Sequence, residues 1–478
     1  MSENKKVVES IKWVSISKTI RIILQYVTLM ILVMYLSPTD FGLMSTAMIF
    51  IGFFNLIKDF GFSAAIIQIT DLSHELLSSV FWLNLIIGIL FSILIFSSSS
   101  VVSNYYQISE LQLLLQVLSI NFLLNGVSSL PNALFEKDMN FNVLAKIEMI
   151  ANLFGSFIAI LLAIIGFGVW ALVFQTLTVS FLILTQNWIY SSFRPSFVFK
   201  LKKIKKIYHF GINLSGFNIL NYLVRNADYF LIGKFLGMNE LGFYSLAYRI
   251  MLFPIQNITS VVSRVLFPAL SKIKDDNFKS RELYINVNKS VAFISFPIMV
   301  GFFVINYDFV TLLFDVKWQP IINILYILVP VGMIQSIYTL GGSIFQSQNK
   351  TQLWFYWGII SAIITVSGFY IGLGWGIFGV SVSYLITNLI LMYPGSKLSF
   401  NLIELKVLNY MKNIIPSFLI SIVMGISIYM LTFLFSVLST HILGLIIQIF
   451  FGILIYSILS YYFNRIVLLK IFSNMKLS

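Results

Sequence analysis

Between Trp13 and Phe463 the chain is a succession of apolar runs separated by short polar breaks. Most runs are roughly 20 residues long, the length that carries an α-helix across about 30 Å of hydrocarbon. Reading run by run gives about fourteen helices. The first falls near 13–36, the seventh near 210–235, the eighth near 241–266 and the last near 441–463. The pattern predicts an all-α polytopic membrane protein.

The breaks alternate in charge. Of those after odd-numbered helices, "SPTD", "GFG", "GLGWG" and "LST" carry no Lys or Arg, and the one near "DVKWQ" carries a single Lys317. Most of those after even-numbered helices are basic, as in "RPSFVFKLKKIKK" and "SKIKDDNFKSRELYINVNK". By the positive-inside rule the basic side is cytoplasmic, and with an even number of spans both termini lie there.

The breaks also repeat. At an offset of 200, Leu36 meets Leu236, Asp40 meets Glu240, Gly42 meets Gly242, Ser45 meets Ser245 and Ala47 meets Ala247. At an offset of 208, "GFGVWAL" from Gly166 meets "GWGIFGV" from Gly374. Two echoes in the same order imply a duplicated six-helix unit. Residues 1–195 form an N-terminal six-helix bundle, 196–209 a basic cytoplasmic linker and 210–400 a C-terminal six-helix bundle. Residues 401–478 add two transmembrane helices and a cytoplasmic tail. An even number of spans per half makes the repeats parallel, with an axis along the membrane normal and a cavity on it.

Two fragments that look catalytic are absorbed by this pattern. Asp40-Phe41-Gly42 matches a kinase tripeptide, but the glycine-rich loop, strand lysine and catalytic loop that a kinase needs are missing. Gly374, Gly376 and Gly379 fit GxGxxG, yet no strand precedes them. Both are expected to be hairpins between helices.

Charge inside a span is costly and points to a cavity or a partner. In the first helix Ser15, Lys18, Arg21, Gln25 and Thr28 recur at steps of three and four. In the seventh, Ser215, Asn218, Asn221, Arg225 and Asp228 recur at the same offset of 200. Each set lies along one helical face. Lys58, Asp59 and Arg249 add charge nearby. Arg21, Arg225, Arg249, Lys58, Lys18, Gln25 and Asn221 are the candidate substrate-binding residues, because guanidinium and ammonium groups bind phosphate oxygens. Arg21 and Arg249 have no acidic neighbour on their own helices, whereas Arg225 has Asp228 in pairing range. Asp228 and Asp59 are candidates for coupling to H+ or Na+. Asp308, near the outer end of its helix, is expected at the interface. Prolines 254, 297, 330 and 416 are expected to kink their helices.

Composition narrows the function. Hydrophobic residues make up 58% and charged residues 10%, too few to cover a soluble protein of 478 residues. Cysteine is absent, which removes disulfides, thiolate metal sites and cysteine nucleophiles. No metal site or cofactor is expected. The net charge of +13 sits in the basic loops, so it orients the chain beside anionic lipid and requires no nucleic acid. There is no GxxxxGK[ST] motif, and the connections are too short for a catalytic domain. Transport, rather than an enzymatic activity, is the class that remains.

The segments "LSPTDFGLMSTAMIFIGFFNLIKDFGFSAAIIQ", "SSVFWLN", "GFGVWALVFQTL", "IGKFLGMNELGFYSLAYR" and "VLFPALSKIKDD" carry a family likeness. The chain resembles the polysaccharide repeat-unit flippases (O-antigen, colanic acid and teichuronic acid exporter type) of the multidrug/oligosaccharidyl-lipid/polysaccharide exporter superfamily. That resemblance implies a bacterial cytoplasmic-membrane protein that moves an undecaprenyl-pyrophosphate-linked oligosaccharide from the inner to the outer leaflet by alternating access. Its partners would be the lipid-linked oligosaccharide and membrane lipids, and it leaves room for polysaccharide polymerase and chain-length machinery. The rival readings are a multidrug antiporter of the same superfamily, a lipid II flippase, and a non-transporting member of a polysaccharide synthase complex.

Overall fold

A computed structural model describes residues 3–58, 66, 72–200 and 222–465. Among these residues there are helices and connections and no strand. Eleven helical stretches are long and apolar enough to cross a membrane, or twelve when one bent pair is counted as a span. The chain is a multi-pass membrane protein. One of the eleven, Thr351–Asn401, reverses at Leu373–Trp375 and holds two of the expected spans. Residues 210–221 of the expected seventh span lie outside the described residues.

The chain divides into two compact units, Met1–Gly242 and Phe243–Ser478. The first contains α1 (Glu3–Tyr35), α2 (Pro38–Lys58), α3 (His74–Tyr106), α4 (Ser109–Leu118), α5 (Ile120–Lys137), α6 (Phe141–Ile164), α7 (Trp170–Tyr190) and α8 (Ala227–Phe235). It also holds the start of α9 (Met238–Met251). Helix α1 packs on α6, α6 on α7, and α3 on α5. The α3–α5 crossing is set by glycine: a Cβ on Gly88 would meet the Phe122 carbonyl oxygen at 2.7 Å, and one on Gly126 the Asn84 carbonyl oxygen at 2.9 Å. Such backbone proximity is how helices associate where lipid removes the hydrophobic drive.

"SPTD" folds as a helix start. The Ser37 N–H and Oγ–H both donate to Asp40 Oδ2, at 2.8 and 2.6 Å, and the Asp40 N–H donates back to Ser37 Oγ at 3.2 Å. This is a reciprocal capping box, with Pro38 at the first helical position where its missing N–H costs nothing. The Asp-Phe-Gly tripeptide is therefore the first turn of α2, in the hairpin the apolar pattern predicts. Gly166 and Gly168 turn the next such hairpin at φ +88° and +55°. Gly376 does the same at φ +68° where the helix Thr351–Gly372 gives way to Gly376–Asn401, so GxGxxG spans the turn between two helices and the start of the second.

In the second unit, α9 continues into a wider helical turn, Ile255–Thr259, and then α10 (Ser260–Lys272). The pair is bent by 42° just after Pro254 begins to block helical hydrogen bonding, as the sequence predicts. There follow α11 (Asn277–Leu313), α12 (Ile321–Tyr338), α13 (Gly341–Ser347), α14 (Thr351–Gly372), α15 (Gly376–Asn401), α16 (Val407–Leu434) and α17 (Ile442–Phe463). Helices α14 and α15 lie antiparallel, brought together where a Gly372 Cβ would meet the Gly379 carbonyl oxygen at 2.6 Å. The last pair, α16 and α17, packs together and onto α11.

Candidate functional site

The polar stripe of α1 lies on a helix that packs against α6. Arg21 reaches across that seam, its Nη1 lying 3.5 Å from Glu148 Oε2 on α6. Both side chains stay nearly half exposed, at 46% and 44%. The pair is therefore solvated and long, a geometry worth little to stability. Arg21 does have an acidic partner, on another helix rather than its own. Glu136, at the end of α5, lies within electrostatic reach of Glu148. The sequence signal for Glu148 was its place with Lys146 inside an apolar run; inspecting each helix alone passes it over.

Elsewhere along α1, Lys18 is half-buried and hydrogen-bonded or paired, and Gln25 is exposed. Thr28 is buried, and its Oγ1 has no hydrogen-bond partner among the described residues. The stripe thus runs from exposed at Arg21 to buried at Thr28, a rise toward the interior of the first unit.

The second stripe is only partly within the described residues. Asn221, Ser215, Asn218 and Asp59 lie outside them, as does the side chain of Lys58. Arg225 and Asp228 do not share one continuous helical face. The helix is interrupted at Asn226, which has φ −112° and ψ 8°, and α8 starts afresh at Ala227. Arg225 is exposed and forms no ion pair among the described residues. Asp228 is 1% exposed in the first turn of α8, where its Oδ1 accepts the Tyr229 N–H at 2.8 Å. A carboxylate suits that position because the free N–H groups of a helix start carry partial positive charge.

Arg249, on α9, belongs to the second unit, is exposed, and forms no ion pair among the described residues. That unit also has a cavity of about 680 Å³ lined by Tyr307, Lys317, Ile322, Asn323 and Tyr326 among others. None of the predicted site residues lines it. Asp308, expected at the interface, is 7% exposed and held by Ser439 in the connection between α16 and α17 and by Gln448 on α17. Its partners lie 131 and 140 residues further along the chain, so position on the helix alone does not reveal the enclosure.

This geometry offers guanidinium groups on membrane helices, one of them balanced by a solvated carboxylate. Comparison with known proteins gives the setting. Residues 31–323 match the family described as polysaccharide biosynthesis protein. Teichuronic acid biosynthesis protein TuaB of Bacillus subtilis is 31% identical over 448 residues, covering 89% of this chain and 89% of that one. Lipopolysaccharide biosynthesis protein WzxC of Escherichia coli is 28% identical over 398 residues, covering 82% and 80%. Among solved structures, the lipid II flippase MurJ in an inward closed conformation superposes with a TM-score of 0.76 at 18% identity, covering 95% of this chain and 99% of that one. At that identity the likeness speaks for the fold. With its family match over more than half the chain and a relative matched nearly end to end, the chain belongs to the polysaccharide biosynthesis protein family, the exporter type whose segments it carries.

Proposed function

We propose that this chain is a flippase that moves undecaprenyl-pyrophosphate-linked oligosaccharide repeat units from the inner to the outer leaflet of a bacterial cytoplasmic membrane. The proposal includes alternating access, fourteen spans with a six-helix repeat, and both termini in the cytoplasm. Arg21, Arg225 and Arg249 meet the pyrophosphate, assisted by Lys18, Lys58, Gln25 and Asn221. Asp228 and Asp59 couple the movement to H+ or Na+. The observation that carries the reading is Arg21: a guanidinium on a membrane helix, half exposed and only loosely held by Glu148 at 3.5 Å. A diphosphate offers it bidentate, charge-assisted hydrogen bonds and is the stronger partner.

The test uses a strain lacking the chain, in which lipid-linked oligosaccharides are extracted and assigned to a leaflet. Repeat units should accumulate on the cytoplasmic leaflet. Wild type should clear them, and Arg21→Gln, Arg225→Gln and Arg249→Gln at matched protein levels should not. Unchanged repeat units, with lipid II or a drug accumulating instead, would transfer the activity to a rival reading. Clearance by every variant would keep the activity and discard the site.

A further inference from the structure

The last two helices form an antiparallel hairpin laid along α11, and its contacts change in character along the seam. At one end the Tyr456 hydroxyl donates to the Phe293 carbonyl at 2.9 Å. In the middle, Gly425 lets α16 approach so closely that a Cβ there would meet Val300 Cγ1 at 2.8 Å and Val304 Cγ2 at 3.3 Å. At the other end sits a carboxylate. Asp308 Oδ2 accepts from Gln448 Nε2 at 2.7 Å and from the Ser439 hydroxyl at 3.0 Å.

Three features set this carboxylate apart from a structural anchor. It is 7% exposed inside a membrane-crossing helix, and no cation pairs with it among the described residues. Lys317, the nearest in sequence, is held by Asp315 at 3.4 Å. Both donors to Asp308 are neutral, so the full charge is left for two dipoles to stabilise, an expensive arrangement at low dielectric. Finally, Gln448 is fully buried, and its Oε1 has no hydrogen-bond partner among the described residues. A buried amide oxygen left unpaired is itself costly.

One event relieves both costs. If the carboxyl takes up a proton, its charge disappears, and a half-turn of the Gln448 amide brings Oε1 to accept the new O–H. We propose that Asp308 is a proton-binding site between α11 and the α16–α17 hairpin, with the Gln448 amide donating to the carboxylate in one state and accepting from the acid in the other. The hairpin stays fastened in both states; the proton decides which way the amide points. The titratable groups on the surrounding elements are Tyr307 of α11, Tyr326 of α12, the Asp315–Lys317 pair, Tyr429 of α16 and His441 at the start of α17. Tyr326 is within electrostatic reach of Asp308 and lines the 680 Å³ cavity.

The experiment is infrared difference spectroscopy of the full chain in lipid nanodiscs as pH is varied at fixed sodium. Wild type should show a carboxylic-acid C=O band that disappears as pH rises. Asp308→Asn, whose amide imitates the acid toward Gln448, should lack it. Gln448→Leu removes the amide that faces the carboxyl in both states, so the pH at which the band disappears should move; that shift assigns the band even if the first variant does not fold. No titrating band sensitive to these changes would overturn the proposal. So would a band governed by sodium at constant pH, or a titration unmoved by Gln448→Leu.

Discussion

Gly42 and Gly242 allow a quantitative test of the duplication. A Cβ on Gly42 would lie 1.9 Å from the Met238 carbonyl oxygen, and one on Gly242 would lie 1.8 Å from the Pro38 carbonyl oxygen. The four residues are reciprocal at an offset of 200: 38 answers 238 and 42 answers 242. All four lie within the first unit. A carbon–oxygen contact needs about 3.3 Å, so alanine at either glycine forces the two helix starts apart by about 1.4 Å. The obstructing oxygens are backbone and cannot rotate away, which places the cost near the upper end of overpacking, about 3 kcal/mol. Better helix propensity returns about 0.75 kcal/mol per substitution. Each single variant should therefore lose about 2 kcal/mol. One separation relieves both overlaps, so Gly42→Ala with Gly242→Ala should lose only about 1.5 kcal/mol instead of an additive 4. Denaturant midpoints of the four proteins in the same lipid nanodiscs would measure this. Additive losses, or single losses within about 0.5 kcal/mol of zero, would refute the shared contact.

The cap of α2 should be separable from its packing: Ser37→Ala removes one side of the Ser37–Asp40 box and should cost about 1 kcal/mol, measured the same way. Tyr410→Phe leaves the buried Asn288 Oδ1, which now accepts the Tyr410 hydroxyl at 2.9 Å, without that donor and should cost about 1–3 kcal/mol. Glu148→Gln should change stability by less than about 1 kcal/mol, because the Arg21 pair is solvated, yet tighten binding of a lipid pyrophosphate in a flotation assay by removing the competing carboxylate. Asp276 caps α11, and the hydrogen bond it accepts from the Lys279 N–H holds its carboxyl below the usual range. Its contribution is complete above the unfolded carboxylate value and fades as pH falls through the lower folded one, so Asp276→Asn should flatten the acid limb of a stability–pH profile.

Local chemistry explains what was legible in the fold. Membrane spans announce themselves because every backbone group must be satisfied within the helix, so composition alone marks them. Helix starts are equally local: the Ser37–Asp40 box spans four residues, and Gly376 needs only its own φ of +68°. Bends follow when the cause is covalent, as at Pro254. The helix interruption at Asn226 was not legible, because no proline or glycine marks it. It arises where Tyr222 leans on α2, its hydroxyl donating to the Ile49 carbonyl at 2.8 Å, a contact across 173 positions.

The site was legible only as far as charge is expensive in a membrane. That cost makes any Arg or Asp in a span noticeable, so Arg21, Arg225 and Asp228 stand out from the sequence alone. What each one does depends on what lies across the seam. The intervals of three and four that align Arg21 with Gln25 say nothing of Glu148, which reaches Arg21 because α1 packs on α6. The same spacing suggests that Arg225 and Asp228 share a face, yet one is exposed and the other is 1% exposed beyond a helix break. Asp308 makes the point most sharply. Its position on α11 suggests an interfacial carboxylate, and only the return of the chain through Ser439 and Gln448 encloses it. Spacing identifies residues that must be accommodated; the packing of other helices decides whether the accommodation is an ion pair, a helix start or a pair of neutral donors. These are chemically different sites, and they should respond differently to phosphate, to sodium and to pH.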